Sequence, residues 1–208
     1  AKTVAVMYAG NESNSEIQGK MAVKEIKAQG MTPLVKTVSE SNEIQSVTDS
    51  IVGKADALYI PTDNLLASNI PAVVKVTDQA KIPVIVGEEG MCAKGGLATY
   101  GIDYYNLGSI AGKQAIKILT GKGKPATMPI EYLKASDCKL KVNEAQMEKL
   151  GIKVPQEVLD KAELIEGVNE NVFIFSITKC DLPGCLMGHH GSWCLYYISS
   201  VRYCRYDM

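Results

Sequence analysis

The chain carries almost no surplus of charge: 22 Lys and Arg stand against 23 Asp and Glu, a net of -1. That balance removes the electrostatic argument for a nucleic-acid partner or an anionic membrane surface. No apolar run approaches the ~20 residues that span a bilayer. Histidine is missing from the first 166 residues, because His189 and His190 are the only two in the chain. A Ser–His or Cys–His nucleophile pair therefore cannot be drawn within that stretch. It also lacks the G-x-S-x-G elbow, the G-x-x-x-x-G-K-S/T phosphate loop, and a G-x-G-x-x-G turn after the first strand. That turn reads Gly10-Asn11-Glu12-Ser13, and Gly95-Gly96 precedes a strand rather than a helix. We expect no enzyme and no cofactor. Residues Ala1 to Tyr8 have no basic segment ahead of a long apolar core, so they read as a strand and not as a signal peptide. The expectation is a trimmed precursor or a chain that starts inside a larger protein.

What is present is divided unevenly. Cys92 and Cys138 stand alone, whereas Cys180, Cys185, Cys194 and Cys204 crowd the C-terminal stretch with both histidines, the only Trp and both Phe. This composition shift places a boundary near Glu166-Gly167, giving a body of residues 1–166 and a tail of residues 167–208.

In the body, short β-branched runs alternate with helical patterns. Thr3 to Ala9 is nearly all apolar, as for a strand covered on both faces. Ser13 and Glu16 have capping-box spacing, predicting a helix from Ser13 to Gly30. Strands follow at Met31–Val38, Ala55–Pro61, Pro83–Gly87 and Leu97–Ile102. Helices are expected over Asn42–Gly53, around Leu66–Thr77 and over Tyr104–Gly121, the last with Leu107, Ala111, Ala115 and Ile118 on one face. Pro71 either kinks its helix or starts its main part after a short first turn. The rhythm implies an α/β fold: one doubly wound parallel sheet of flavodoxin-like order 2-1-3-4-5, with helices on both faces. From about residue 123 the chain reads as a return segment that crosses another unit. Its extended pieces are Pro129–Leu133 and Lys139–Asn143, and its helical ones are Glu144–Leu150 and Gln156–Leu164.

Open parallel sheets bind ligands at the carboxyl ends of their strands. Those ends deliver Asn11, Glu12, Ser13, Asn14 and Ser15 after strand one, Thr62, Asp63 and Asn64 after strand three, Glu88 and Glu89 after strand four, and Asp103, Tyr104 and Tyr105 after strand five. The set suits a small zwitterion. The hydroxyls and N–H groups of a helix start, at Ser13, Asn14 and Ser15, receive a carboxylate, and Asp63 receives an ammonium. Each residue also has a structural reading, since Ser, Asn and Asp at such turns cap helices and Glu88 and Glu89 suit a solvated loop. Cys92, near those two carboxylates, is a poor nucleophile because negative charge suppresses its thiolate.

Five segments together resemble one family: Val4-Ala5-Val6-Met7-Tyr8 with Glu12-Ser13-Asn14-Ser15; Tyr59-Ile60-Pro61-Thr62-Asp63-Asn64; Pro83 to Gly90; Gly95 to Tyr105 with Leu107-Gly108; and Leu150 to Pro155. The family is that of ABC-transporter substrate-binding proteins of the type I periplasmic-binding fold, whose characterised ligands include aromatic amino acids such as tryptophan. The resemblance covers nearly all of residues 1–166. It implies the C-terminal lobe of a two-lobed solute-binding protein that closes by a hinge around a small-molecule solute. It places Ser13, Asn14, Ser15, Thr62, Asp63 and Asn64 on segments facing the cleft, and Asp103 near it. It also implies an N-terminal lobe preceding this sequence, ABC permease partners and an extracytoplasmic location.

The tail has no counterpart in that family. Cys180, Cys185, His189, His190 and Cys194 have zinc-ligand chemistry without a standard finger spacing, disulfides are the alternative, and an added extension without a function of its own is the third reading. Phe173-Ile174-Phe175-Ser176-Ile177 is strand-like and suits an exposed sheet edge. Two other functions stay open from sequence: a small α/β enzyme using Cys92 or a tail metal centre, and an isolated domain that associates with itself.

Overall fold

A computed structural model describes residues 1–167. The tail readings, from the zinc ligands to the Phe173–Ile177 strand, lie outside them. Along the chain run β1 (Thr3–Ala9), α1 (Ser13–Ala28), β2 (Thr32–Val38), α2 (Ile44–Asp49), β3 (Ala57–Ile60), α3 (Asn64–Gln79), β4 (Val84–Val86) and α4 (Glu89–Ala93). They are followed by β5 (Ala98–Gly101), α5 (Tyr104–Leu119), β6 (Lys139–Asn143), α6 (Glu144–Leu150), α7 (Gln156–Leu159) and β7 (Glu163–Ile165). The strands form one sheet in the order β2-β1-β3-β4-β5-β6-β7. The first five follow the expected flavodoxin-like order and are parallel. β6 runs antiparallel to β5 and parallel to β7.

Side-chain alternation along the strands splits the core in two. Ala5, Met7, Leu58, Ile60, Val84 and Val86 face α2, α3 and α4 and form the larger cluster with Ile44, Leu66, Ile70 and Met91. On the opposite face Val6 and Tyr8 pack with Ile26 of α1. Gly19 sets how close α1 approaches: a Cβ there would lie 2.6 Å from two ring carbons of Tyr8. Pro71 behaves as its chemistry requires. Asn69 leaves helical geometry at φ -118°, ψ 15°, so α3 has a short first turn and then its main part. The missing Pro71 N–H frees the Ala67 carbonyl, which Lys94 Nζ approaches at 3.5 Å.

Four local expectations are corrected. No capping box forms at Ser13: it is the first residue of α1, Glu12 is the N-cap, and Glu16 pairs instead with Lys20 at 2.7 Å. Glu89–Ala93 is a helix rather than a loop, capped by Glu88, whose carboxylate accepts from Gly90 N at 2.7 Å and from Met91 N at 2.5 Å. Pro129–Leu133 is not a strand. The helix predicted to reach Leu164 ends at Leu159, because Glu163–Ile165 pairs with the edge of β6. The return segment buries Val142 and Leu150 and adds polar contacts: Asn143 Nδ2 donates to the Cys92 carbonyl at 2.8 Å, and Lys81 Nζ to that of Lys149 at 2.7 Å. No helix among the described residues is long and apolar enough to cross a membrane.

Candidate functional site

The parallel β1 and β3 are adjacent, so the turns that leave their carboxyl ends meet. The β1 turn enters α1 and the β3 turn enters α3. Gly87, leaving β4, completes the junction: a Cβ there would overlap the Thr62 nitrogen and come within 2.7 Å of the Pro61 carbonyl carbon. Only glycine lets the third turn pass so near.

Hydrogen bonds lock the two turns together. Asn14 Nδ2 and Ser15 Oγ both donate to the Thr62 carbonyl, each at 3.2 Å. Thr62 N donates to Gln18 Oε1 at 3.1 Å, and Thr62 Oγ1 to the Gly87 carbonyl at 3.4 Å. Asp63 is 2 % exposed. One of its oxygens accepts from Ala9 N at 2.6 Å and the other from Leu66 N at 2.8 Å. It thereby caps α3 and ties the end of β1 to it. The expectation that Asp63 receives an ammonium meets a buried carboxylate whose oxygens already hold two backbone donors.

Sequence reasoning placed Glu12 at the end of β1 but gave it no role in the site. It crosses the gap and accepts from Asn64 Nδ2 at 3.0 Å, Asn64 N at 3.3 Å and Leu65 N at 3.2 Å. With Asp63 it places two carboxylates on the positive end of α3. The end of α1 differs: no side chain caps it, and the amides of its first turn start from an extended Glu12. Ser13 and Asn14 are exposed there and Asn64 is exposed opposite, while Ser15 is buried and Thr62 half-buried. The start of α1 thus has no side-chain cap but lies between two carboxylates, with Glu12 as its N-cap residue and Glu16 in its first turn. A turn carboxylate such as Glu12 carries no sequence signal for this role, since its partners are some 50 residues away.

Six of the seven predicted site residues therefore come together. Asp103 stands apart, because β3 and β4 lie between β1 and β5, roughly 14 Å at the usual strand spacing. It caps α5, with Oδ1 accepting from Asn106 N at 3.0 Å and Oδ2 from Asn106 Nδ2 at 2.9 Å. It lines a separate cavity of about 230 Å³ with Thr99, Tyr104, Tyr105 and Lys141. Among the described residues, Thr99 Oγ1 is the one buried side-chain oxygen without a hydrogen-bond partner. Lys141 pairs with Glu89 at 2.6 Å beside it.

Cys92 is buried, and burial followed by the nearby charges of Glu89 and Glu88 pushes its thiol up to about 12. Its Sγ faces the Gly96 carbonyl at 3.6 Å. Among the described residues no group of three His, Cys, Asp or Glu is placed to hold a metal ion.

Residues 1–165 match the family model of ABC transporter substrate binding proteins. A curated relative, a tyrosine-binding protein of Clostridioides difficile (strain R20291), is 44% identical over 122 residues, covering 59% of this chain and 35% of the relative. Among solved structures, the ligand-free, open form of a Clostridium difficile substrate binding protein with adhesive properties aligns at TM-score 0.64 and 38% identity, over 80% of this chain and 55% of that one. An ABC domain from Streptococcus pneumonia in complex with L-Trp aligns at TM-score 0.72 and 32% identity, over 78% and 54%. The chain thus spans about a third of the curated relative and just over half of these structures.

Proposed function

The chain belongs to the ABC transporter substrate binding protein family, and on that premise we propose that it supplies one lobe of an importer's solute-binding component, non-catalytic and extracytoplasmic. The lobe takes an amino-acid-like solute at the ends of β1 and β3, in a cleft closed by an N-terminal lobe, and delivers it to ABC permease subunits. One observation carries this reading: α1 begins with no side-chain cap, next to exposed Ser13 and Asn14.

The division of labour follows from the bonds present. The α1 amides with the exposed Ser13 and Asn14 bind the solute carboxylate, and the buried Ser15 holds the Thr62 turn beside them. Thr62 and Asp63 act from behind, fixing the relative position of the two turns. The ammonium meets Glu12 and the exposed Asn64 side chain. Asp103, near the cleft at β5, meets the part of the solute farthest from its carboxylate. The relatives' printed ligands, tyrosine and L-Trp, make an aromatic amino acid the solute to try first.

The test is a thermal-shift series with L-Trp, L-Tyr and L-Phe beside their methyl esters. A ligand at ten times its Kd adds about 1.4 kcal/mol, which in a domain of this size raises Tm by roughly 3–6 °C. The free acids should stabilise, the esters should not, and Ser13→Ala with Asn14→Ala should abolish the effect. Equal stabilisation by acid and ester would remove the carboxylate from the proposal.

A further inference from the structure

The cavity at the end of β5 has a demand that the chain itself does not meet. β5 and β6 are antiparallel, with Thr99 the register partner of Lys141 and Gly101 that of Lys139. Residues two apart on a strand share a face, so these four stand together on one side of the sheet. Glu89 of α4 lines the same cavity, with Asp103, Tyr104 and Tyr105 at the carboxyl end of β5. Thr99 is 1% exposed, and its Oγ1 has no hydrogen-bond partner. Gly101 keeps the space in front of that oxygen clear: a Cβ there would stand 3.2 Å from Thr99 Oγ1.

The charges around that hydroxyl are already paired. Lys141 Nζ lies 2.6 Å from Glu89 and 3.8 Å from Glu163, and Lys139 Nζ lies 3.6 Å from Glu163. Both Asp103 oxygens hold Asn106. Two lysines and two acids line the cavity, so it favours neither an anion nor a cation. At about 230 Å³ it is smaller than the roughly 300–1,000 Å³ that holds a whole ligand. It therefore takes one end of a larger molecule. β3 and β4 separate it from the end of β1, roughly 14 Å at the usual strand spacing, so that end is the one far from the solute carboxylate. The unmet group is a single hydroxyl. An amide would bring a carbonyl and two N–H donors to meet it, and a wholly apolar end would leave it unpaired in a dry site. A phenol or an indole brings one donor on an apolar body.

We propose that this cavity selects the solute by its far end, an aromatic side chain carrying one neutral O–H or N–H group that donates to Thr99 Oγ1. The inference rests on the solute reading above and adds its specificity determinant. Thr99 supplies the acceptor, and Gly101 supplies the room for the group that reaches it. A ring without a donor enters the same space and leaves Thr99 unpaired. A site built to bond such a group discriminates strongly against the analogue that lacks it.

The test is an ¹⁵N amide titration of the full chain with two matched pairs, L-Tyr against L-Phe and L-Trp against 1-methyl-L-tryptophan. In at least one pair the donor-bearing member should bind at least tenfold tighter, about 1.4 kcal/mol, with the Thr99 amide among those that move. The pair that splits tells phenol from indole. Thr99→Ser should keep the split, and Thr99→Val and Gly101→Ala should each reduce it below threefold. Thr99→Val should also raise the Tm of the empty chain, because it removes a buried hydroxyl without a partner. A fall in Tm would mean that the hydroxyl is already bonded and would overturn the proposal. Equal affinities within both pairs, or a split that survives Thr99→Val, overturn it as well. Methyl esters of L-Tyr and L-Phe separate it from the carboxylate assignment: a split kept by esters that bind as tightly as the acids upholds the cavity and removes the carboxylate. If no amino acid binds, p-cresol decides. A shift at Thr99 that its methyl ether does not produce upholds the cavity, and no shift overturns it.

Discussion

Replacing Asp63 by alanine is the sharpest perturbation of the site's frame. The side chain is 2 % exposed and holds two backbone donors, Ala9 N at 2.6 Å and Leu66 N at 2.8 Å. A hydrogen bond to a charged group contributes about 1.5–3 kcal/mol. In alanine both bonds are lost, and the Ala9 amide, at the buried end of β1, loses its acceptor. Water entering the vacated space recovers part of this, so the net cost should be near 3 kcal/mol. At roughly 2–4 °C per kcal/mol for a domain of this size, Tm should fall by about 6–12 °C. Asparagine is the informative companion. Its Oδ1 keeps the cap on Leu66 N, worth about 1 kcal/mol, while its Nδ2 turns a donor toward the Ala9 donor. The predicted order of stability is therefore parent, then Asp63→Asn, then Asp63→Ala, with the asparagine variant about 2 kcal/mol below the parent. Urea unfolding followed by circular dichroism reads both values. An alanine variant within 1 kcal/mol of the parent, or an asparagine variant equal to it, would refute the assignment of Asp63 as the tie between β1 and α3.

Glu12→Ala removes the carboxylate that accepts from Asn64 and Leu65; these bonds are at the surface, so the same unfolding assay should show a loss of only about 1 kcal/mol, and a loss as large as that of Asp63→Ala would mean that the second carboxylate bears on the core. Iodoacetamide mapping at pH 8 should label Cys138, which is half-buried, and leave Cys92 unlabelled until the chain is unfolded; equal labelling rates would contradict a buried thiol. The folded Cys92 titrates near 12 against an ordinary value of 9.0, so between those pH values the unfolded chain releases a proton that the folded chain keeps. Its contribution to stability is complete below pH 9 and is lost as pH rises towards 12, and Cys92→Ala should flatten the alkaline fall of stability over that window.

Much of this fold was legible because it rests on local periodicity. The five parallel strands, their order and the break at Pro71 follow from apolar runs, turn residues and a missing N–H. The cap at Asp103 is equally local, three residues from its partner Asn106. What escaped depends on contacts far apart in sequence. Glu163–Ile165 becomes a strand only because β6 offers an edge, and α4 has too few turns for a period to show. Glu12 reads as a solvated turn residue until the fold brings the start of α3 to it. Asp63 was legible as a polar residue at a strand end, but its burial and its two backbone donors were not. The apolar half of α5 was legible as well, through Leu107, Ala111, Ala115 and Ile118, whereas the absence of any buried residue in it was not.

The claim at the centre of this account is that the uncapped start of α1 receives a carboxylate. An ¹⁵N amide titration of the chain with L-Trp, and in parallel with L-Trp methyl ester, tests it most directly. The account predicts that the acid moves the amides of Ser13, Asn14 and Ser15 first and furthest, that the ester leaves them in place, and that Asn14→Ala weakens the response. Shifts spread elsewhere with those three amides unmoved, or identical responses to acid and ester, would contradict it.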